Sequence, residues 1–126
     1  MNVLASVLLF VVGIINFLPV LGVASADRLA HAYGIDLFGN DLVILMRHRA
    51  ILFGVLGGFI LYSVVYPVHQ WPAMIMAGVA MIGYVYLMFS VGGYNAELAR
   101  VMLVDYVGIA CLAGAMGIRL FTAAAN

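Results

Sequence analysis

Hydrophobic positions fall into four long stretches separated by short polar breaks. The first runs from Val3 to Val23 and is interrupted by Ser6, Asn16 and Pro19. The second covers Ala50 to Tyr66, and its helix is expected to begin earlier, near Asp41. The third is Pro72 to Val91, and the fourth is Leu98 to Phe121, broken by Arg100, Asp105 and Arg119. Backbone polar groups in hydrocarbon must be satisfied within the segment, so runs of this length read as helices. A membrane barrel would need alternation with a period of two, and that is absent. The pattern predicts an all-α integral-membrane four-helix bundle, one transmembrane domain over residues 1–126, with spans over 3–23, 42–66, 72–91 and 96–121.

Local punctuation agrees with these boundaries. Pro67 closes the second span, and Pro72 sits in the first turn of the third, where a missing N–H costs little. Gly92-Gly93-Tyr94-Asn95 is a tight connection with Asn95 as N-cap of the fourth span. Residues Ser25 to Tyr33 are expected to form a short interfacial helix, capped by Ser25 and stopped by Gly34. Trp71, Tyr66, Tyr62, Tyr94 and Tyr33 fall near the expected membrane surfaces, where amphipathic rings are favoured. Ala24-Ser25-Ala26 has the form of a secretory cleavage site. The leading Met1-Asn2 contains no Lys or Arg, however, and the apolar run exceeds the ~7–15 residues of a signal core, so retention as a span is expected.

Composition sharpens the class. Hydrophobic residues make up 67% of the 126 and charged residues 8%, against roughly 45–50% and ~25% in soluble domains. Five positive and five negative side chains cancel, and every cation is Arg. A basic nucleic-acid footprint is excluded, and so is a polybasic lipid-binding patch. The single Cys111 cannot form an internal disulfide. One side of the membrane receives Arg28, Arg47, Arg49 and Arg100, the other only Arg119. The positive-inside rule then predicts a multi-pass protein with its two longer connections in the cytoplasm and both termini on the outer side.

Small residues recur at helical spacing as Gly54-xxx-Gly58, Ala73-xxx-Ala77, Ala110-xxx-Gly114 and Ala113-xxx-Gly117. Packing within the bundle explains them, as would a seam between copies of the chain. Arg49 to Gly57 also echoes Arg100 to Gly108, with Arg, Leu and Gly matched.

The chemistry is concentrated toward the Arg-rich side. Arg47-His48-Arg49 lies about two turns into the second span, and Glu97, Arg100 and Asp105 occupy the first three turns of the fourth. Asn16 lies near the same end of the first. Arg49 and Asp105 reach comparable depths, on the order of 12–13 Å below their helix starts. A charge at the bilayer centre costs ~2.5–3.5 kcal/mol on insertion scales, so these two are expected to pair, with Arg100 and Glu97 pairing locally. Arg47 and Arg49 point about 160° apart, so the triplet cannot all face one way. Two readings stand for the set Asn16, Arg47, His48, Arg49, Glu97, Arg100 and Asp105: ion pairs that fix helix register, or a polar pocket for a ligand.

Nucleotide-loop, Rossmann, zincin and serine-hydrolase motifs are all missing. No metal site and no cofactor is expected. A bis-His haem would need two facing His at depth, and of His31, His48 and His69 only His48 is embedded. The whole chain resembles the small bacterial four-helix membrane proteins of the DoxX-like group. The residues that carry the likeness are Asn16-Phe-Leu-Pro19, Tyr33-Gly-Ile-Asp36, Leu45-Met-Arg-His-Arg-Ala-Ile-Leu-Phe-Gly54 and Gly92-Gly-Tyr-Asn95. The resemblance implies a four-helix bundle associated with membrane redox or quinone systems, and it carries over no catalytic residue. Some members of that group bear the label phosphopantetheine adenylyltransferase. That activity belongs to a soluble α/β fold with an H-x-G-H phosphate motif, and this sequence has neither.

The expectation from these residues is a non-catalytic membrane protein that binds a lipophilic or amphipathic molecule of lipid or quinone type, or serves as an accessory subunit of a membrane complex. A small membrane enzyme or redox protein using His48, and an oligomeric transporter or channel, are the alternatives. Expected partners are membrane lipid and a further protein copy or complex, not nucleic acid.

Overall fold

The computed structural model describes residues 3–20, 26–36 and 38–125, with backbone only at 26, 28, 29 and 125. The proposed cap Ser25 and the Ala24-Ser25 part of the cleavage motif lie outside the described residues, as does the Arg28 side chain. Five α-helices follow one another: α1 (Val3–Phe17), α2 (Ala26–Tyr33), α3 (Asn40–Val65), α4 (Gln70–Val91) and α5 (Ala96–Ala125). α1 continues as a 3-10 turn to Val20, and Pro67–His69 forms a second 3-10 turn between α3 and α4. Four of these segments are long and apolar enough to cross a membrane. With 22 to 30 residues, α3, α4 and α5 rise roughly 33–45 Å, enough for a hydrocarbon layer of ~30 Å.

The long helices form a four-membered ring in the order α1, α3, α4, α5, with α1 and α4 diagonal to one another. Every helix changes character along its length at about the same level. Toward the α3–α4 turn the interior is mainly apolar: Leu9, Val12, Ile60, Ala73, Met74, Ala77, Met81, Leu112 and Ala115 form one buried cluster. Toward the α4–α5 turn the same helices present Asn16, Arg49, Tyr84 and Asp105. Water drives little of the helix association in lipid, so packing relies on close approach. Gly57 shows the closest such contact. A Cβ there would stand 2.5 Å from the backbone N and Cα of Phe17. Among the small residues of the sequence seams, Gly54 packs on Val20 and Gly114 on Leu8, whereas Gly58 and Gly117 face open space.

Asn95 ties the polar end together. Its Oδ1 accepts from the Leu98 N–H at 2.8 Å, which is the N-cap expected of it. Its Nδ2 also donates to the carbonyls of Tyr33 and Gly34, both at 2.9 Å, fastening the end of α2 to the start of α5. Gly34 is required for that junction: its φ is +62°, and a Cβ would sit 2.6 Å from Glu97 Oε2. Asn95→Ala removes the cap and both cross-links, and is expected to lower stability by about 2 kcal/mol in detergent unfolding. An unchanged midpoint would show that α2 is held by other contacts.

A second polar junction closes the opposite end. Pro67 has no N–H, so the Ser63 carbonyl four residues before it loses its helical donor. The fully buried Gln70 supplies one instead, through Nε2 at 3.2 Å. Its Oε1 accepts from Arg119 Nη1 at 2.7 Å, and the Arg119 guanidinium lies 5.9 Å from the Trp71 ring centre. Arg119 therefore locks α5 to the α3–α4 turn, a role its position as a topology marker did not reveal.

Candidate functional site

Arg49 is the organising residue of the polar end. It is the tenth residue of α3, and Asp105 the tenth of α5, so each lies about 13–14 Å along its helix. Successive residues are rotated ~100°, which sends Arg49 inward and leaves Arg47 and His48 on exposed faces. The Arg49 guanidinium is held between two rings. Nη1 donates to the Tyr33 hydroxyl at 2.8 Å, and the cation lies 5.1 Å from the Tyr33 ring centre and 4.7 Å from that of Phe53. Such contacts are favourable by ~0.5–2 kcal/mol each, depending on desolvation. Tyr33 is 6% exposed. It is therefore an interior partner of Arg49.

A cavity of about 260 Å³ opens beside this clamp, bounded by Asn16, Tyr33, Arg49, Phe53, Tyr84 and Asp105 among others. Asn16 is buried and spends its amide nitrogen on the Val12 carbonyl of its own helix, at 2.9 Å. Tyr84 Oη donates to the Leu98 carbonyl at 3.2 Å. The expected ion pair is not direct: among the described residues Arg49 makes its hydrogen bond to Tyr33, while Asp105 faces the cavity within electrostatic reach of Arg49. The reason is competition. The tyrosine hydroxyl and two rings meet the guanidinium first, and the carboxylate on α5 stays across the gap.

Two further spaces adjoin Arg49 and Tyr84. One, of about 410 Å³, is an apolar groove between α3 and α4 lined by Leu52, Phe53, Leu56, Ala80, Gly83 and Leu87. The other, about 420 Å³, runs to the α4–α5 turn past Met88, Val91 and Tyr94. Arg49 and Tyr84 line all three.

The sequence-derived set thus divides. Asn16, Arg49 and Asp105 share the inner cavity. Glu97 and Arg100 instead line a separate surface cleft of about 630 Å³ with His31 and Asp36, and among the described residues they form no ion pair with each other. Helix geometry explains the separation. Glu97 lies eight residues, about 12 Å, nearer the surface than Asp105, and Arg100 is about 140° round the helix from it. The echo between Arg49 and Arg100 accordingly ends at the charge: one is clamped inside and the other exposed. Gly57 and Gly108 do share a role, each sitting under a neighbouring helix. Tyr33, Phe53 and Tyr84 were missed. Phe53 stands at i+4 from Arg49, a spacing that brings side chains together. Tyr84 carries no such signal. No cluster of His, Cys, Asp and Glu able to hold a metal is present among the described residues.

No protein-family model, curated protein or solved structure matches the chain.

Proposed function

We propose that this chain is a multi-pass protein of a bacterial inner membrane, both termini periplasmic, that holds a lipophilic or amphipathic molecule of lipid or quinone type without transforming it. It does so alone or as a subunit of a larger membrane complex. The observation that carries the reading is the position of Arg49. A cation clamped by two rings, at the tenth residue of a span-length helix, faces a largely apolar cavity that also holds Asn16 and Asp105. The same side chain borders an apolar groove between α3 and α4. Intramembrane charge is expensive and marks sites where polar chemistry is used. Pockets with apolar walls and a few convergent polar groups are the usual form of a small-molecule site. The whole-chain resemblance to DoxX-like proteins agrees with a bundle of this kind. His48, exposed on α3 and outside the cavity, suits contact with a headgroup more than work at the inner site.

The test is ligand retention. In native mass spectrometry from nanodiscs, Arg49→Leu is expected to lose co-purifying amphiphile by roughly tenfold or more, the value of one charged hydrogen bond. Retention equal to that of the unaltered, equally folded protein would remove the cavity from the account.

A further inference from the structure

The inner cavity carries one positive and one negative group that do not contact each other, and this says what kind of head belongs between them. Among the described residues Arg49 uses a single N–H, on Tyr33. A guanidinium has five. Asp105 accepts no hydrogen bond from a described residue and borders the same space. A bilayer-depth carboxylate and guanidinium would ordinarily close on each other, because each is costly unpaired. Here Tyr33 and Phe53 hold the cation back. A ligand head that fills the gap must therefore accept from Arg49 and donate to Asp105 at once.

We propose, resting on the ligand-holding reading above, that the site takes an amphiphile with a neutral, hydroxyl-bearing head and a single aliphatic chain, and discriminates against anionic heads. A hydroxyl both accepts and donates, so one or two of them satisfy both walls. A phosphate or carboxylate gains the Arg49 contact but places its charge beside Asp105, and like charges at short range in a low dielectric repel strongly. Size points the same way. The inner cavity, about 260 Å³, falls below the ~300–1,000 Å³ of ordinary drug-sized pockets and suits a head of a few heavy atoms. Of the two further spaces that share Arg49 and Tyr84, the groove between α3 and α4 past Leu52, Leu56 and Gly83 is assigned to the tail, because the other ends at the Gly92-Gly93-Tyr94 turn.

The experiment compares two lipids with the same chain. Purified protein in nanodiscs is offered equal amounts of monooleoylglycerol and oleoyl lysophosphatidic acid, and the bound species are counted by native mass spectrometry. The unaltered protein is expected to hold the neutral lipid about tenfold more than the anion. Asp105→Asn is expected to reverse that order, because the Arg49 charge then has no counter-charge. Arg49→Gln is expected to weaken both. Equal or stronger binding of the anion by the unaltered protein, or an unchanged order in Asp105→Asn, overturns the head assignment. If binding of both lipids is indifferent to Arg49→Gln, the ligand-holding reading itself fails. Should a variant not fold, a diazirine-bearing monoacylglycerol on the unaltered protein decides. Crosslinks at Tyr33, Tyr84 or Leu56 support the proposal, and crosslinks confined to outward residues such as Val79 and Ile82 contradict it.

Discussion

Gly57→Ala is expected to destabilise the bundle by about 3 kcal/mol, at the upper end of what overpacking costs. The added methyl would meet the Phe17 backbone N and Cα at 2.5 Å. Backbone cannot rotate away as a side-chain tip can, so α1 must move off α3. That shift would also loosen Leu9 and Val12, both fully buried in the apolar cluster. Gly58→Ala is the matched control, since nothing lies within 4 Å of its Cβ position. There the better helix propensity of Ala, up to about 1 kcal/mol, should leave stability unchanged or raised. Unfolding both variants in a denaturing detergent series measures the difference. Equal midpoints would mean that α1 and α3 are not in backbone contact at this level.

Gln70→Met is expected to cost about 2–4 kcal/mol although it nearly conserves volume. Gln70 is fully buried and serves two groups at once, the Ser63 carbonyl that Pro67 cannot reach and the Arg119 guanidinium. Met satisfies neither, and it leaves the Arg119 cation without its hydrogen-bond acceptor, facing the Trp71 ring. Combining it with Arg119→Leu should recover about 1–2 kcal/mol, because the orphaned charge is then gone. Strict additivity of the two substitutions would show that Gln70 and Arg119 do not act together.

Legibility in the sequence followed the physics that wrote each feature. Lipid demands long apolar runs, so the four long helices stood out from residue type alone. α3 began at Asn40, one residue from the expected Asp41, and α5 began directly after its cap Asn95. The short α2 was readable from the stop at Gly34. Rotation about each axis was much harder to read. α3 is apolar nearly all round, so no stripe says whether Arg47, His48 or Arg49 turns inward. Depth arithmetic brought Arg49 and Asp105 to one level, and they do share a cavity. It could not foresee that Tyr33, sixteen residues before Arg49, would take the guanidinium first. Grouping Glu97 and Arg100 with that pair treated the first three turns of α5 as one place, whereas rise and rotation put them on a different surface. The Gln70 junction stayed hidden because its cause, a carbonyl orphaned by Pro67, exists only once the turn is folded.

The proposed function rests on Arg49 and Asp105 turning inward to border one cavity, while Arg47, Glu97 and Arg100 stay at the surface. An experimental structure in a lipid bilayer tests it most directly. Arg49 is expected between Tyr33 and Phe53, with density for a small polar head bridging it to Asp105 and running into the groove between α3 and α4. Arg49 turned out toward the headgroups, with apolar side chains closed over an empty Asp105, would contradict it.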